Sequence, residues 1–97
     1  MPTCITLVNY TQQGVSKIKD SPARMAAAKK AAESTGGKFL GVYVTLGRYD
    51  GVAISEFPND ESYFKFAFYI ASPGFLSMET LKALPEEDFG KVISSLG

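Results

Sequence analysis

Ninety-seven residues, 45% hydrophobic and 12% aromatic, suffice to close one core without staples, so a single domain over residues 1–97 is expected. Ten Lys and Arg against ten Asp and Glu give zero formal net charge, which excludes a charge-driven role on nucleic acid or membrane phosphates. With no histidine and one cysteine, Ser-His-Asp and Cys-His chemistry, histidine-held haem, most zinc sites and any intrachain disulfide fall away together.

The opening "MPTCITLVNY" carries no basic leader, and its apolar run is too short for a signal peptide or a membrane span, so a cytoplasmic location is expected. Residues Thr3 to Tyr10 alternate β-formers without a breaker and read as a first strand, with Ile5 and Leu7 on one face and Thr6, Val8 and Tyr10 on the other. Cys4 within it reads as packing, since no base is present to activate a thiol. Thr11 can cap a short helical turn through Gly14, Val15 and Ile18. Asp20-Ser21-Pro22 then places a capping residue ahead of a proline, and "ARMAAAKKAAES" continues as a helix that Gly36-Gly37 closes. Its alanines leave little bulk, so its backbone can lie close to a sheet.

Lys38 to Leu46 alternates again, with Leu40, Val42, Val44 and Leu46 on one side and Phe39, Tyr43 and Thr45 on the other. Gly47-Arg48-Tyr49 joins it to a third strand, Asp50 to Phe57, as an antiparallel hairpin. Pro58-Asn59-Asp60 breaks that strand. The helix that follows, Glu61 to Ala71, "ESYFKFAFYIA", is apolar nearly all round, which implies burial on more than one side. Ser72-Pro73-Gly74 ends it, Phe75 to Leu84 forms a fourth strand, and Pro85-Glu86-Glu87-Asp88 opens a last helix with Phe89, Val92, Ile93 and Leu96 at helical spacing. This amphipathic tail needs a surface to cover, either the aromatic helix or a partner subunit.

The order β-α-β-β-α-β plus a C-terminal helix is that of an α+β, ferredoxin-like sandwich. With both helices on one sheet face, the other would carry Thr6, Val8, Tyr10, Tyr43, Thr45, Ala53 and Ser55, a hydroxyl-rich surface poor in charge. Such a face is expected to be covered by a second copy, giving a homodimer or higher homo-oligomer, and hydroxyls held between two sheets can pair with one another or with a small molecule.

Several stretches together, "ITLVNYT" at Ile5 to Thr11, Gly14, "IKDSP" at Ile18 to Pro22 followed by Arg24, "GGK" at Gly36 to Lys38, "GRYD" at Gly47 to Asp50 and "ETLKA" at Glu79 to Ala83, make the chain similar to the GYD domain family of the dimeric α/β-barrel group. The resemblance covers nearly the whole length and implies a ferredoxin-like protomer that dimerises sheet to sheet, but it brings no settled activity. The segment "YFKFAFYI" is more aromatic than the alanine-rich stretch the family implies, which leaves open an oligomer larger than a dimer.

Arg48, Tyr49 and Asp50 stand side by side, yet neighbours on a strand point to opposite faces and do not converge on one reacting atom. The plainer reading gives Gly47 to the turn, Asp50 to turn N–H groups, and Tyr49 a packed ring with its hydroxyl in water. Pro2 would serve as an amine base only after loss of Met1, and Glu56 with Glu79 reads as two solvated or ion-paired strand ends, for example with Arg24 or Lys82, rather than a carboxylate pair. Tyr10, Tyr43 and Thr45, with Tyr63 or Tyr69, could line an apolar or aromatic ligand cleft whose rim is Arg48, Tyr49 and Asp50. The sequence thus favours a non-enzymatic binding or interaction module without metal, cofactor or catalytic residue. The alternative is a cofactor-independent monooxygenase- or isomerase-like enzyme using Tyr43 or Tyr10 with Glu56 or Asp50, and a bare scaffold for another protein is a third.

Overall fold

The structure, a computed structural model, describes residues 2–97. In chain order it contains β1 (Thr3–Tyr10), α1 (Gln12–Ser16), a 3-10 turn (Ile18–Asp20), α2 (Ser21–Ser34), β2 (Lys38–Val44), β3 (Gly51–Glu56), α3 (Asp60–Ala71), β4 (Leu76–Ala83) and α4 (Glu86–Ser95). Local chemistry sets the boundaries. Thr11 caps α1 by accepting the Gly14 N–H at 3.1 Å, and its hydroxyl also donates to the Gly74 carbonyl at 2.6 Å, tying this turn to the start of β4. Asn59 caps α3 through the Ser62 N–H at 2.9 Å, with Asp60 and Glu61 in the first turn where the helix dipole favours negative charge. Gly47, at φ +116°, supplies the left-handed backbone that the β2–β3 loop requires.

The strands form one antiparallel sheet in the order β2-β3-β1-β4. Helices α2 and α3 lie on one face, as the α+β ferredoxin-like reading requires. Cys4, Ala32, Phe57, Tyr63 and Phe66 form the buried centre, with Phe57 5.1 Å from Tyr63 and 5.2 Å from Phe66 between ring centroids.

Register decides what each face carries, and here the expectation from alternation is corrected. Cys4 belongs to the core and Thr6 is bonded to Tyr63 of α3, so Cys4, Thr6, Val8 and Tyr10 face the helices. Their directly opposed partners Ser55, Ala53 and Gly51 share that inner face. The Thr6, Tyr10 and Ser55 side chains expected on the open side are therefore on the inner face. Thr6 is tolerated there because the Tyr63 hydroxyl lies 2.9 Å from it and 2.5 Å from Thr80, a chain of three mutually paired groups. The outer face carries Ile5 and Leu7, Val52 and Ile54, and Leu81. A register shift between Phe39 and Gly41 leaves Leu40 as an extra residue in β2. Phe39 then packs on Phe66 inside while Tyr43, opposite Val52, points outward and is 59% exposed, so the two do not share a face.

Two helices are less covered than their sequences imply. In α3 only Tyr63 and Phe66 are buried, while Phe64, Phe68 and Tyr69 are more than half exposed and the rings of Phe64 and Phe68 stack on each other at 6.0 Å. Helix α4 buries no residue, and its stripe of Phe89, Val92, Ile93 and Leu96 is exposed rather than laid on α3. The protomer is accordingly drawn out, 54 × 31 × 17 Å with a radius of gyration of 14.8 Å. About 12.5 Å is usual for a chain of this length.

Candidate functional site

The loop between β2 and β3 is built by its own side chains. The Thr45 N–H donates to the Asp50 carbonyl at 2.9 Å, and the Thr45 hydroxyl donates to the Tyr49 carbonyl at 2.6 Å. Asp50 reaches across to β1: its N–H donates to the Val8 carbonyl at 2.9 Å and its carboxylate accepts the Tyr10 N–H at 2.9 Å. The acceptor role expected of Asp50 is present, but its donor lies 40 residues away rather than in the turn.

Tyr49 crosses to the far edge of the sheet. Its hydroxyl donates to the Glu79 carboxylate on β4 at 3.0 Å, and since Glu79 is paired with Leu7 this contact lies on the outer face. The bond to a carboxylate, with some desolvation, holds the Tyr49 pKa above the ordinary tyrosine value, against a small lowering by Arg48. Arg48 itself is exposed. Tyr10, Tyr43, Thr45, Arg48, Tyr49 and Asp50 thus divide between the two sides of the sheet.

Tyr10 faces a cleft of about 390 Å³ between the inner face of the sheet and the helices. Val8, Val42 and Met78 form its floor, Met25 and Ala28 of α2 one wall, Phe66 and Ile70 of α3 the other, and Phe75 closes the end near α1. Asp50 and Tyr43 border it. The packed aromatic core fills the sheet near Cys4 and Phe57, whereas near Tyr10 the small Ala28 and the exit of the chain into α1 leave the space open. Arg24 of α2 also lines the cleft. Its guanidinium sits 4.3 Å from the centre of the Phe75 ring and donates to the Lys17 carbonyl at 3.1 Å and to the Ser21 hydroxyl at 3.2 Å. Among the described residues no carboxylate lies within 4.0 Å of it, so the pairing with a strand-end acid expected of Arg24 is not made.

Other titratable groups lie away from this space. Glu56 pairs with Lys38 at 3.6 Å and opposes Thr3, seven residues along β1 from Tyr10, about 23 Å in an extended strand. It joins neither Tyr10 nor Glu79. Burial pushes the Cys4 thiol up, with Lys82 opposing and Asp60 assisting, so it stays protonated at neutral pH. Lys82 is itself raised by its 2.8 Å bond to Asp60. No cluster of three metal-binding side chains occurs among the described residues.

The GYD domain profile matches residues 4–93. The chain belongs to the GYD domain family. It is 29% identical over 89 residues to the glutamine synthetase and cystathionine beta-lyase binding protein of Thermus thermophilus, an alignment covering 91% of this chain and 94% of that one. No solved structure matches. In this GYD domain the Gly47-Arg48-Tyr49-Asp50 run is a fastening: Asp50 ties the loop to β1 and Tyr49 ties it to β4. Arg24 is the site residue that sequence reasoning missed. The available signal was its spacing, four residues before Ala28 and eight before the buried Ala32, which places a cation on the core-facing stripe of α2.

Proposed function

We propose that this GYD domain is a non-enzymatic interaction module that assembles with itself through the outer sheet face, engages metabolic enzymes, and keeps a small-molecule cleft on the inner face. The observation that carries the reading is the outer face itself, where Ile5, Leu7, Val52, Ile54 and Leu81 lie together on a four-stranded sheet, opposite the face on which α2 and α3 pack. An aliphatic sheet face left to water is unfavourable, and a second copy offers a matching one. Tyr49 belongs to that outer side through Glu79, Tyr43 turns outward at the border of the cleft, Arg48 is exposed on the loop, and Tyr10 and Asp50, with Thr45 holding the loop, belong to the cleft. The full-length similarity to a protein named for binding glutamine synthetase and cystathionine beta-lyase supports enzymes of that kind as partners, and hence a cytoplasmic place of work. Of the acids the enzyme alternative would use, Glu56 lies far from Tyr10, whereas Asp50 shares the cleft border with Tyr10 and Tyr43 and has its carboxylate engaged by the Tyr10 N–H.

Light scattering and binding to purified glutamine synthetase and cystathionine beta-lyase test the reading. The native chain is expected at a multiple of its protomer mass, and Ile54→Asp, which puts a charge in the middle of the outer face, is expected to give a folded monomer. A native chain that stays monomeric at every concentration overturns the assembly. Absence of binding to either named enzyme, with the oligomer intact, overturns the choice of partner.

A further inference from the structure

We propose that the inner cleft takes a small apolar monocarboxylate, its hydrocarbon or aromatic body on the sheet floor and its carboxylate on Arg24. This rests on the cleft reading above and names the ligand class. Three observations converge. The cleft is large enough for a compact organic molecule at about 390 Å³, and its floor and walls are aliphatic, aromatic and thioether groups. Arg24 is half-buried in its wall with no carboxylate partner among the described residues, and two of its five N–H donors go to the protein, so a fork of donors remains for a ligand. The Phe75 ring, the Lys17 carbonyl and the Ser21 hydroxyl fix the plane of that guanidinium before anything binds, which lowers the ordering cost of a bidentate contact. Asp50 on the border sets the selectivity: a second carboxylate on the ligand would meet either this acid or the apolar floor, so monoacids are favoured over diacids.

The test is calorimetric titration of the full chain with phenylbutyrate and with phenylbutyramide, which share an apolar body and differ in charge. The acid is expected to bind roughly tenfold or more tightly than the amide. Arg24→Gln is expected to bring the acid down to the level of the amide, and Arg24→Lys, which keeps the charge but not the fork, to fall between. Ala28→Leu, which fills the cleft, is expected to abolish both. Thermal unfolding of each variant reports whether it is folded, and the conservative lysine variant serves if the glutamine variant is not. Equal binding of acid and amide overturns the carboxylate assignment and leaves the cleft standing. Failure of both probes overturns the cleft along with it, and acid binding indifferent to every change at position 24 overturns Arg24.

Discussion

Asp50 closes two gaps with one side chain and one amide, since β3 pairs with β1 only as far as Gly51 and Val8, and Asp50 carries the contact on to Val8 and Tyr10. Asp50→Ala leaves the half-buried Tyr10 N–H without its acceptor and is expected to cost about 1–2 kcal/mol of stability in urea unfolding. Ser55 is the opposite case. Its hydroxyl is buried, at 1% residue exposure, with no partner, so Ser55→Ala is expected to be neutral or to stabilise by about 1 kcal/mol, and a clear loss in the same assay would show that the hydroxyl is satisfied. Tyr49 yields a pH test. Its folded pKa lies above the unfolded value because its proton is donated to Glu79, so the bond contributes fully below the unfolded value and is lost as pH rises through the folded one, on the alkaline side. In Glu79→Gln the ultraviolet titration of Tyr49 should move to lower pH, and an unmoved curve would contradict the hydrogen bond. At this scale the run Gly47 to Asp50 was readable as a loop signature. The distant partners of Asp50 and Tyr49 were not, because pairing across 40 and 30 residues depends on strand order rather than on local spacing.

Elements were legible where periodicity and caps agree, as at Thr11 and Gly36. Faces were not. One extra residue, Leu40, reverses the alternation midway along β2, and nothing in "KFLGVYV" marks which residue will be extruded. The assignment of the inner face failed for a different reason: Thr6 looks polar by itself and becomes a core residue only once Tyr63 supplies a hydroxyl. The contact between α1 and the segment leading into β4 is equally hidden. A Cβ on Gly14 would collide with the Phe75 carbonyl oxygen, which is backbone and cannot rotate aside. Gly14→Ala is therefore expected to destabilise the fold by about 1–3 kcal/mol, measured by urea unfolding, and to disturb ligand binding by moving Phe75. A fully native unfolding curve would mean that α1 shifts freely.

At the scale of the whole molecule, apolar surface is left on the outer sheet face, the Phe64 and Phe68 stack and the stripe of α4, and also at Leu46 in the β2–β3 loop and at Val15 and Ile18 around α1. Composition foretold enough apolar matter for a core, but much of it lies outside the core of one protomer. Because α4 packs on nothing substantial in its own protomer, truncation after Pro85 is expected to leave the native β-sheet circular dichroism and cleft binding in place. Loss of folding on that truncation would show that α4 supports the protomer directly.

The strand order also sets a timetable for synthesis. Strand β1 is made first and sits in the middle of the sheet, with β3 on one side and β4 on the other. While the chain is emerging, the β2–β3 hairpin can close by local pairing, but one whole edge of β1 stays open until residues as late as Ala83 have been delivered. A ribosome stalled before β4 would display an unpaired, β-prone edge beside an aliphatic face, and that interval is when this small domain is most exposed to joining the wrong neighbour.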